Sequence, residues 1–535
     1  MTNIDSYYSE IDKNNFYLGM ISQVYRSNVV LQVENLSLLN NRKIKDEVLI
    51  PNTINFFVVI DSAYGIFLGE IYQSKVDGKD SLHRSKSDEK KEKVFPEINI
   101  DIIGLLGSDE KFKLPGFKTV GITDKVYLAN RELVKKYLSS IEVNQYEGQE
   151  PLENLARIGN LESEYLSIQP NTLFDRHLMA IGTTNSGKST SALSILDKLI
   201  SSEKKVLLVD PTGEYKNCFN DKDGMISLTL GEDATLPVGK VKMSQWERVF
   251  ETNENTQGAT LSKAIQSLRY QKKNNQSGVL VKDGQNVKAI NEKLATLTRQ
   301  DTDFDLALLP SQIQAEAVQL DKAGTKLTSN SFSVNNNNWL FEKVQHVLEN
   351  TSFAEFFVAN EATDLLGKID SFLSNKNSLY IDASKIATSD GIGSMIIDLI
   401  CNHIIDQKKD ETKKPFVLYI DEVHRYVKPN QEYQTGLTMI AREGRKKGIF
   451  LFLTTQNPKD VPDVLLGQVG TMIIHRLTHS EELKAIQNQV KQNTVSQIHN
   501  LNQGEAILTS INLIQDIHVR FIQSGRNHSS KTPIL

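Results

Sequence analysis

Four stretches of the chain place chemistry-bearing side chains where apolar runs end. The first is Gly182-Thr183-Thr184-Asn185-Ser186-Gly187-Lys188-Ser189, which follows the apolar run "LMAI" and precedes Leu193, Leu196 and Ile200 at helical spacing. It fits GxxxxGK(S/T) at every position, in the strand–turn–helix setting that pattern needs. The glycines let the backbone curl until successive N–H groups face a phosphate, and the helix N-terminus behind them adds its partial positive charge. The expected cradle is Thr184, Asn185, Ser186, Gly187, Lys188, Ser189 and Thr190, with Asn185 where many such loops carry glycine. Lys188 is then expected to reach the β- and γ-phosphates of ATP, and the Ser189 hydroxyl to bind Mg²⁺.

The second stretch is an acidic pair at the end of another apolar run, Phe416-Val417-Leu418-Tyr419-Ile420-Asp421-Glu422. A buried strand there would deliver Asp421 to the metal's water shell and leave Glu422 to polarise the attacking water. Two adjacent carboxylates so divided separate metal binding from general-base work. His424, two residues on, reads as a packing or hydrogen-bonding histidine. The third stretch ends "IFLFLTTQNP", where Gln456 stands ready to sense the γ-phosphate and Thr454 and Thr455 precede it. The fourth is the basic turn "AREGRKKG", with Arg442 and Arg445 as alternative arginine fingers and a solvated basic turn as the plain alternative.

Such strand ends need a scaffold. From about residue 170, short apolar strands ("HLMAIG", "KVLLVD", "SLYID", "FVLYID", "IFLFLTT", "TMIIHR", "EAILTS") alternate with helical stretches. That grammar predicts an α/β domain with a doubly wound parallel sheet, whose central strands deliver their C-terminal ends to the ligand crevice. The gap between "VLLVD" and "SLYID" is far longer than a normal crossover and reads as an inserted helical subdomain over 240–370, with "TSNSFSVNNNNW" as a loop inside it. The first 145 residues are short β-branched and aromatic runs broken by Gly, Asn and Asp, the pattern of a small β-barrel. The charged stretch 74–94 is expected to be an exposed loop between two hairpins. This divides the chain into a barrel (1–145), a core (146–239 and 371–515), the insertion, and a C-terminal strand and tail (516–535).

Composition narrows the class. A chain of 535 residues exceeds one ordinary core, and 39% hydrophobic with 24% charged residues is the balance of a soluble globular protein. The net charge of −5 argues against coating nucleic acid with the whole surface, while leaving room for a local basic channel. Two distant cysteines, Cys218 and Cys401, suit a reducing compartment. No apolar stretch approaches the roughly 20 residues of a membrane span, and the opening lacks the features of a signal peptide. A cytoplasmic protein without membrane attachment is expected.

With these stretches in hand, the chain resembles the HerA-type ATPases of the HerA/FtsK superfamily. The resemblance rests on "RHLMAIGTTNSGKS", "VLLVDPTGEY", "SLYIDAS", "YIDEVHRY", "IAREGRKKGIFLFLTTQNP", "TMIIHRL" and "LNQGEAIL", the turn "DPTGEY" above all. It implies a RecA-like P-loop NTPase core, an N-terminal barrel and a homo-hexameric ring with ATP sites at subunit interfaces and double-stranded DNA in the central pore. Lys188 and Ser189 would take the phosphate and metal roles, Asp421 the metal role, Glu422 the general base, Gln456 the sensor, and Arg442 or Arg445 the finger in trans. Lys216 and Lys459 become candidates for pore contacts. Members act with a nuclease or, in anti-phage systems, with effectors such as Sir2-like NADases, which the resemblance would place near the barrel. Three alternatives stand beside the translocase: an ATP-regulated assembly platform for such an effector, a packaging or conjugation ATPase, and a two-lobed helicase. The last needs a second RecA-like domain, and only about 110 residues follow Glu422.

Overall fold

The computed structural model describes the chain except residues 1–3, 27, 45–46, 50, 52, 77–94, 160, 254–255, 350, 358–360, 387–390, 409–413, 430–433, 491 and 529–535. The expected exposed loop 74–94 therefore lies, apart from its first three residues, outside the described residues. The described residues form two compact units: 1–175, 180–195 and 470–523 make one, and 176–179, 196–469 and 524–535 the other.

In the first unit, six antiparallel strands close on themselves. Around the ring run Asn28–Val33, Tyr17–Val24, Lys125–Leu128, Phe57–Ser62, Gly65–Lys75 and Glu97–Leu106, and the last pairs again with Asn28–Val33. Closure removes both sheet edges. Leu18, Leu31, Val58, Ile60, Phe67, Ile71, Ile98, Ile100, Val126 and Leu128 are wholly buried and fill the barrel. The same unit holds five further antiparallel strands in the order Leu161–Ile168, Leu152–Ile158, Ile517–Phe521, Glu505–Ser510 and Thr471–Ile474. The strand leading into the phosphate loop, Leu178–Ile181, lies beside Thr471–Ile474, and its Ile181 carbonyl accepts from the His475 N–H at 2.8 Å. "EAILTS" thus runs antiparallel to "TMII", against the all-parallel expectation; an apolar run specifies burial but not direction.

The second unit contains a five-stranded parallel sheet in the order Ile449–Thr455, Phe416–Ile420, Val206–Asp210, Ser378–Asp382 and Met225–Thr229. The three inner strands are buried at every residue, which is why they read as unbroken apolar runs. Met225–Thr229 was not expected: only Met225 and Leu228 of its five residues are buried, so it shows no such run.

The insertion is mainly helical, with Met243–Val249, Gln257–Lys273, Val287–Ala295, Leu309–Ala315, Ser331–Glu349, Thr351–Phe356 and Leu365–Ser374, and adds one short hairpin, Val318–Leu320 with Leu327–Ser329, that the sequence did not announce. Trp246, stacked on Phe250, edged by Phe304 and Phe353 and met by a tilted Phe357, centres its core. "SFSVNNNNW" belongs to a helix, correcting the loop expectation. Asn337, Leu340 and Val344 line its buried face, and the Asn337 amide donates to the Ile313 carbonyl at 2.8 Å, so packing overrides the poor helix propensity of asparagine. Near this subdomain Asp398, 5% exposed, accepts from Gln245 (2.8 Å), Arg248 (2.7 Å), Asn402 (2.9 Å) and the Gly436 N–H (2.6 Å). At the C-terminal end, Arg526 pairs with Asp197 at 2.9 Å and Asp223 at 2.8 Å. Among the described residues no helix is long and apolar enough to cross a membrane.

Candidate active site

The phosphate loop, 182–187, is shaped by backbone. Gly187 has φ +111°, and a Cβ there would stand 2.7 Å from the Gly504 Cα. A Cβ on Gly182 would meet the His475 Cβ at 2.6 Å. Only glycine satisfies either position. Asn185 occupies the glycine-like place the sequence left open, at φ +62°, the left-handed region that asparagine enters more readily than most residues. Helix Lys188–Ser201 starts immediately afterwards, so its unpaired N–H groups lie at the loop. Lys188 is 6% exposed, Ser189 and Thr190 are half-buried, and Thr184 and Asn185 are exposed. Ser186 Oγ is buried without a hydrogen-bond partner among the described residues. An oxygen-rich ligand suits such a group.

Two supports of this loop carried no signal in the search for chemistry. His475, fully buried, contacts Ser191 Oγ through Nε2 at 2.8 Å and the Glu505 carbonyl through Nδ1 at 2.9 Å. The carbonyl can only accept, so Nδ1 carries the proton; the Ser191 hydroxyl, which also reaches the Lys188 carbonyl at 2.8 Å, links the ring to the start of the helix. Burial pushes its pKa down to about 4, with Lys188 acting in the same direction. The second support is the turn Asn502–Gly504. Both lie in the "TMIIHRL" and "LNQGEAIL" stretches, which pointed to a family but not to a role.

The acidic pair belongs to the other unit and is shaped by hydroxyls. Asp421 is 4% exposed, and its Oδ1 accepts from Tyr419 at 2.8 Å and Thr454 at 2.5 Å. Tyr419 OH also meets the Tyr215 hydroxyl, 2.8 Å away, in the "DPTGEY" turn. Burial and the nearby Asp421 hold both tyrosine pKa values well above their usual range, so the phenols stay protonated. Asp210 fastens that turn by accepting from the N–H groups of Thr212, Gly213 and Tyr215, each at 2.9 Å.

Glu422 sits at φ +46°, ψ +54°, a left-handed conformation that costs a non-glycine residue on the order of 1–3 kcal/mol. The Thr454 hydroxyl accepts from its N–H at 2.9 Å, and Gln456 donates to its Oε1 at 2.7 Å. His424 Nδ1 stands 3.3 Å from its Oε2 and 3.2 Å from Thr455 Oγ1. The structure thus brings Asp421, Glu422, Thr454 and Gln456 together, and adds His424 as a neighbour of the expected base.

Arg442 closes the helix Gly436–Glu443 and Arg445 lies in the following turn; both are exposed. Lys216 pairs with Asp382 at 3.2 Å, and Lys459 is exposed.

Comparison with known proteins bears on this arrangement. Residues 156–405 match the family model described as "Helicase HerA, central domain", and residues 401–514 match "Helicase HerA-like C-terminal". The chain is 23% identical over 387 residues to the probable DNA double-strand break repair helicase HerA of Methanocaldococcus jannaschii, covering 66% of this chain and 73% of that protein. It is 24% identical over 375 residues to the DNA double-strand break repair helicase HerA of Sulfurisphaera tokodaii, covering 66% and 67%. Among solved structures it is similar to VirB4 of Thermoanaerobacter pseudethanolicus, at TM-score 0.49 and 13% identity over 71% of this chain and 98% of that one. The two family matches overlap and run without a break from 156 to 514, through the phosphate loop and the acidic pair alike; the chain belongs to the HerA-type P-loop ATPases and is an ATP-hydrolysing enzyme.

Proposed function

We propose that this chain is the motor subunit of a homo-hexameric ring that drives double-stranded DNA through its central pore, together with a nuclease or other effector docked near the barrel. The observation that carries the reading is the pairing of an intact phosphate loop and acidic pair with relatives named as DNA double-strand break repair helicases. Its residue roles are those expected from sequence. Lys188 neutralises charge on the β- and γ-phosphates, and Glu422, aligned by Gln456, takes the proton of the attacking water. The residues suit magnesium: Ser189 offers a hydroxyl, Asp421 a carboxylate, and hard oxygens are what that ion takes. When bound, the ion supplies charge neutralisation at the phosphate oxygens. The exposure of Arg442 and Arg445 suits delivery of a guanidinium to the site of an adjoining subunit. Loss of the γ-phosphate then removes contacts made from both sides of that interface, and the interface relaxes. Backbone contacts to DNA read no sequence, so movement is sequence-independent and salt-sensitive.

The test joins mass measurement with ATPase assays. A six-subunit particle whose ATPase rises with duplex DNA is expected. Mixing Arg445→Ala with Glu422→Gln subunits should restore part of the activity each lacks alone, and the same mixture with Arg442→Ala decides between the two arginines. A fully active monomer would sink the ring. A ring indifferent to DNA but responsive to an effector would favour the assembly platform.

A further inference from the structure

The phosphate loop is held from behind by a segment more than 300 residues away. The Gly504 N–H donates to the Ser186 carbonyl at 2.9 Å, and Gln503 Nε2 donates to Asn185 Oδ1 at 2.7 Å. Gly504 and Gly187, at φ +81° and +111°, approach so closely that a Cβ on Gly187 could not be accommodated. The turn is itself braced. Glu505 Oε2 accepts from the Asn502 N–H at 2.8 Å and from its side-chain amide at 3.0 Å, while Arg520 holds Oε1 at 3.0 Å. The Glu505 carbonyl is the partner of His475 Nδ1, so the brace and the histidine beneath the loop form one connected set.

These contacts aim the loop. A trans peptide points its C=O and its N–H in opposite directions. With the Ser186 carbonyl anchored on Gly504, the Gly187 N–H of the same peptide points away from the turn. Asn185 presents a parallel case: its left-handed backbone is unfavourable without glycine, and the Gln503 amide fixes the side chain of that residue.

We propose that Asn502–Gly504 is a clasp that sets the phosphate loop in its binding shape before nucleotide arrives, with Gln503 as a positioning residue acting through Asn185. This rests on 182–189 being the loop that holds the ATP phosphates. A preformed loop avoids an ordering cost at binding, so loss of the clasp weakens ATP binding more than it slows chemistry.

The experiment measures KM and kcat for ATP, with direct binding of a fluorescent ATP analogue, in four forms of the full chain. Gln503→Ala should raise KM roughly three- to tenfold with kcat within about twofold, the effect of one lost hydrogen bond. Adding Asn185→Gly should recover part of the lost affinity, because glycine removes the steric cost of φ +62°. Gln503→Leu, which can neither donate to the Asn185 side chain nor accept from it, should behave like Gln503→Ala. An unchanged KM in Gln503→Ala overturns the proposal, and so does a loss that Asn185→Gly leaves undiminished. Lys188→Ala tests the underlying reading separately: if it bound the analogue normally, the phosphate-loop assignment itself would fail, whatever Gln503 does.

Discussion

The phosphate loop and the acidic pair solve their tasks with different materials. Around 182–189 the shape is carried mainly by main chain: glycines at contact distance, a left-handed asparagine, and the Ser186 carbonyl tied to a distant turn. Around Asp421–Glu422 it is carried by side chains, with Tyr419 and Thr454 on one carboxylate and Gln456 and His424 on the other. The difference teaches where each half is vulnerable. A backbone cradle fails when a Cβ is added; a hydroxyl network fails when an oxygen is removed.

The largest effects should separate the two halves by kind. Lys188→Ala should abolish ATP binding and turnover together, whereas Glu422→Gln should bind ATP and lose turnover by roughly 10²–10⁴, the worth of a general base. Equilibrium binding with a steady-state assay on both variants checks this, and normal turnover in Glu422→Gln would reject the base assignment. A smaller effect is expected from Gly187→Ala. The strained φ and the contact with Gly504 should weaken ATP binding roughly ten- to a hundredfold and lower the melting temperature, as read by titration and thermal melting. Smallest is Tyr419→Phe, which removes one of two donors to Asp421 Oδ1 and leaves the Tyr215 hydroxyl without its partner. A kcat reduced roughly three- to tenfold with ATP affinity kept would match the network, and equal losses in both would show that the acidic side also shapes binding.

Legibility in the sequence follows the same division. Gly182, Gly187, Lys188 and Ser189 are local, at fixed spacing, and Asp421–Glu422 ends an apolar strand, so both could be found by reading along the chain. The closed barrel and the α/β core were foreseeable for the same reason, since burial on one or both faces leaves a period. His475 and Gln503 were not, because their importance comes from contacts across 284 and 318 residues. Nothing in "LNQG" taken alone points to a phosphate. Strand direction in Glu505–Ser510 escaped because apolarity is the same either way. The helix at 331–349 escaped because four consecutive asparagines disfavour helix locally, and only the partners of Asn337, Leu340 and Val344 reverse that preference.

Asp398 has a mechanical consequence. One buried carboxylate is shared between the insertion's first helix, through Gln245 and Arg248, and the leading N–H of the helix that carries Arg442. Pulling those two helices apart would break charge-assisted hydrogen bonds to that carboxylate, worth about 1.5–3 kcal/mol each. The insertion's first helix and the arginine-bearing helix are therefore tied to each other through a single side chain.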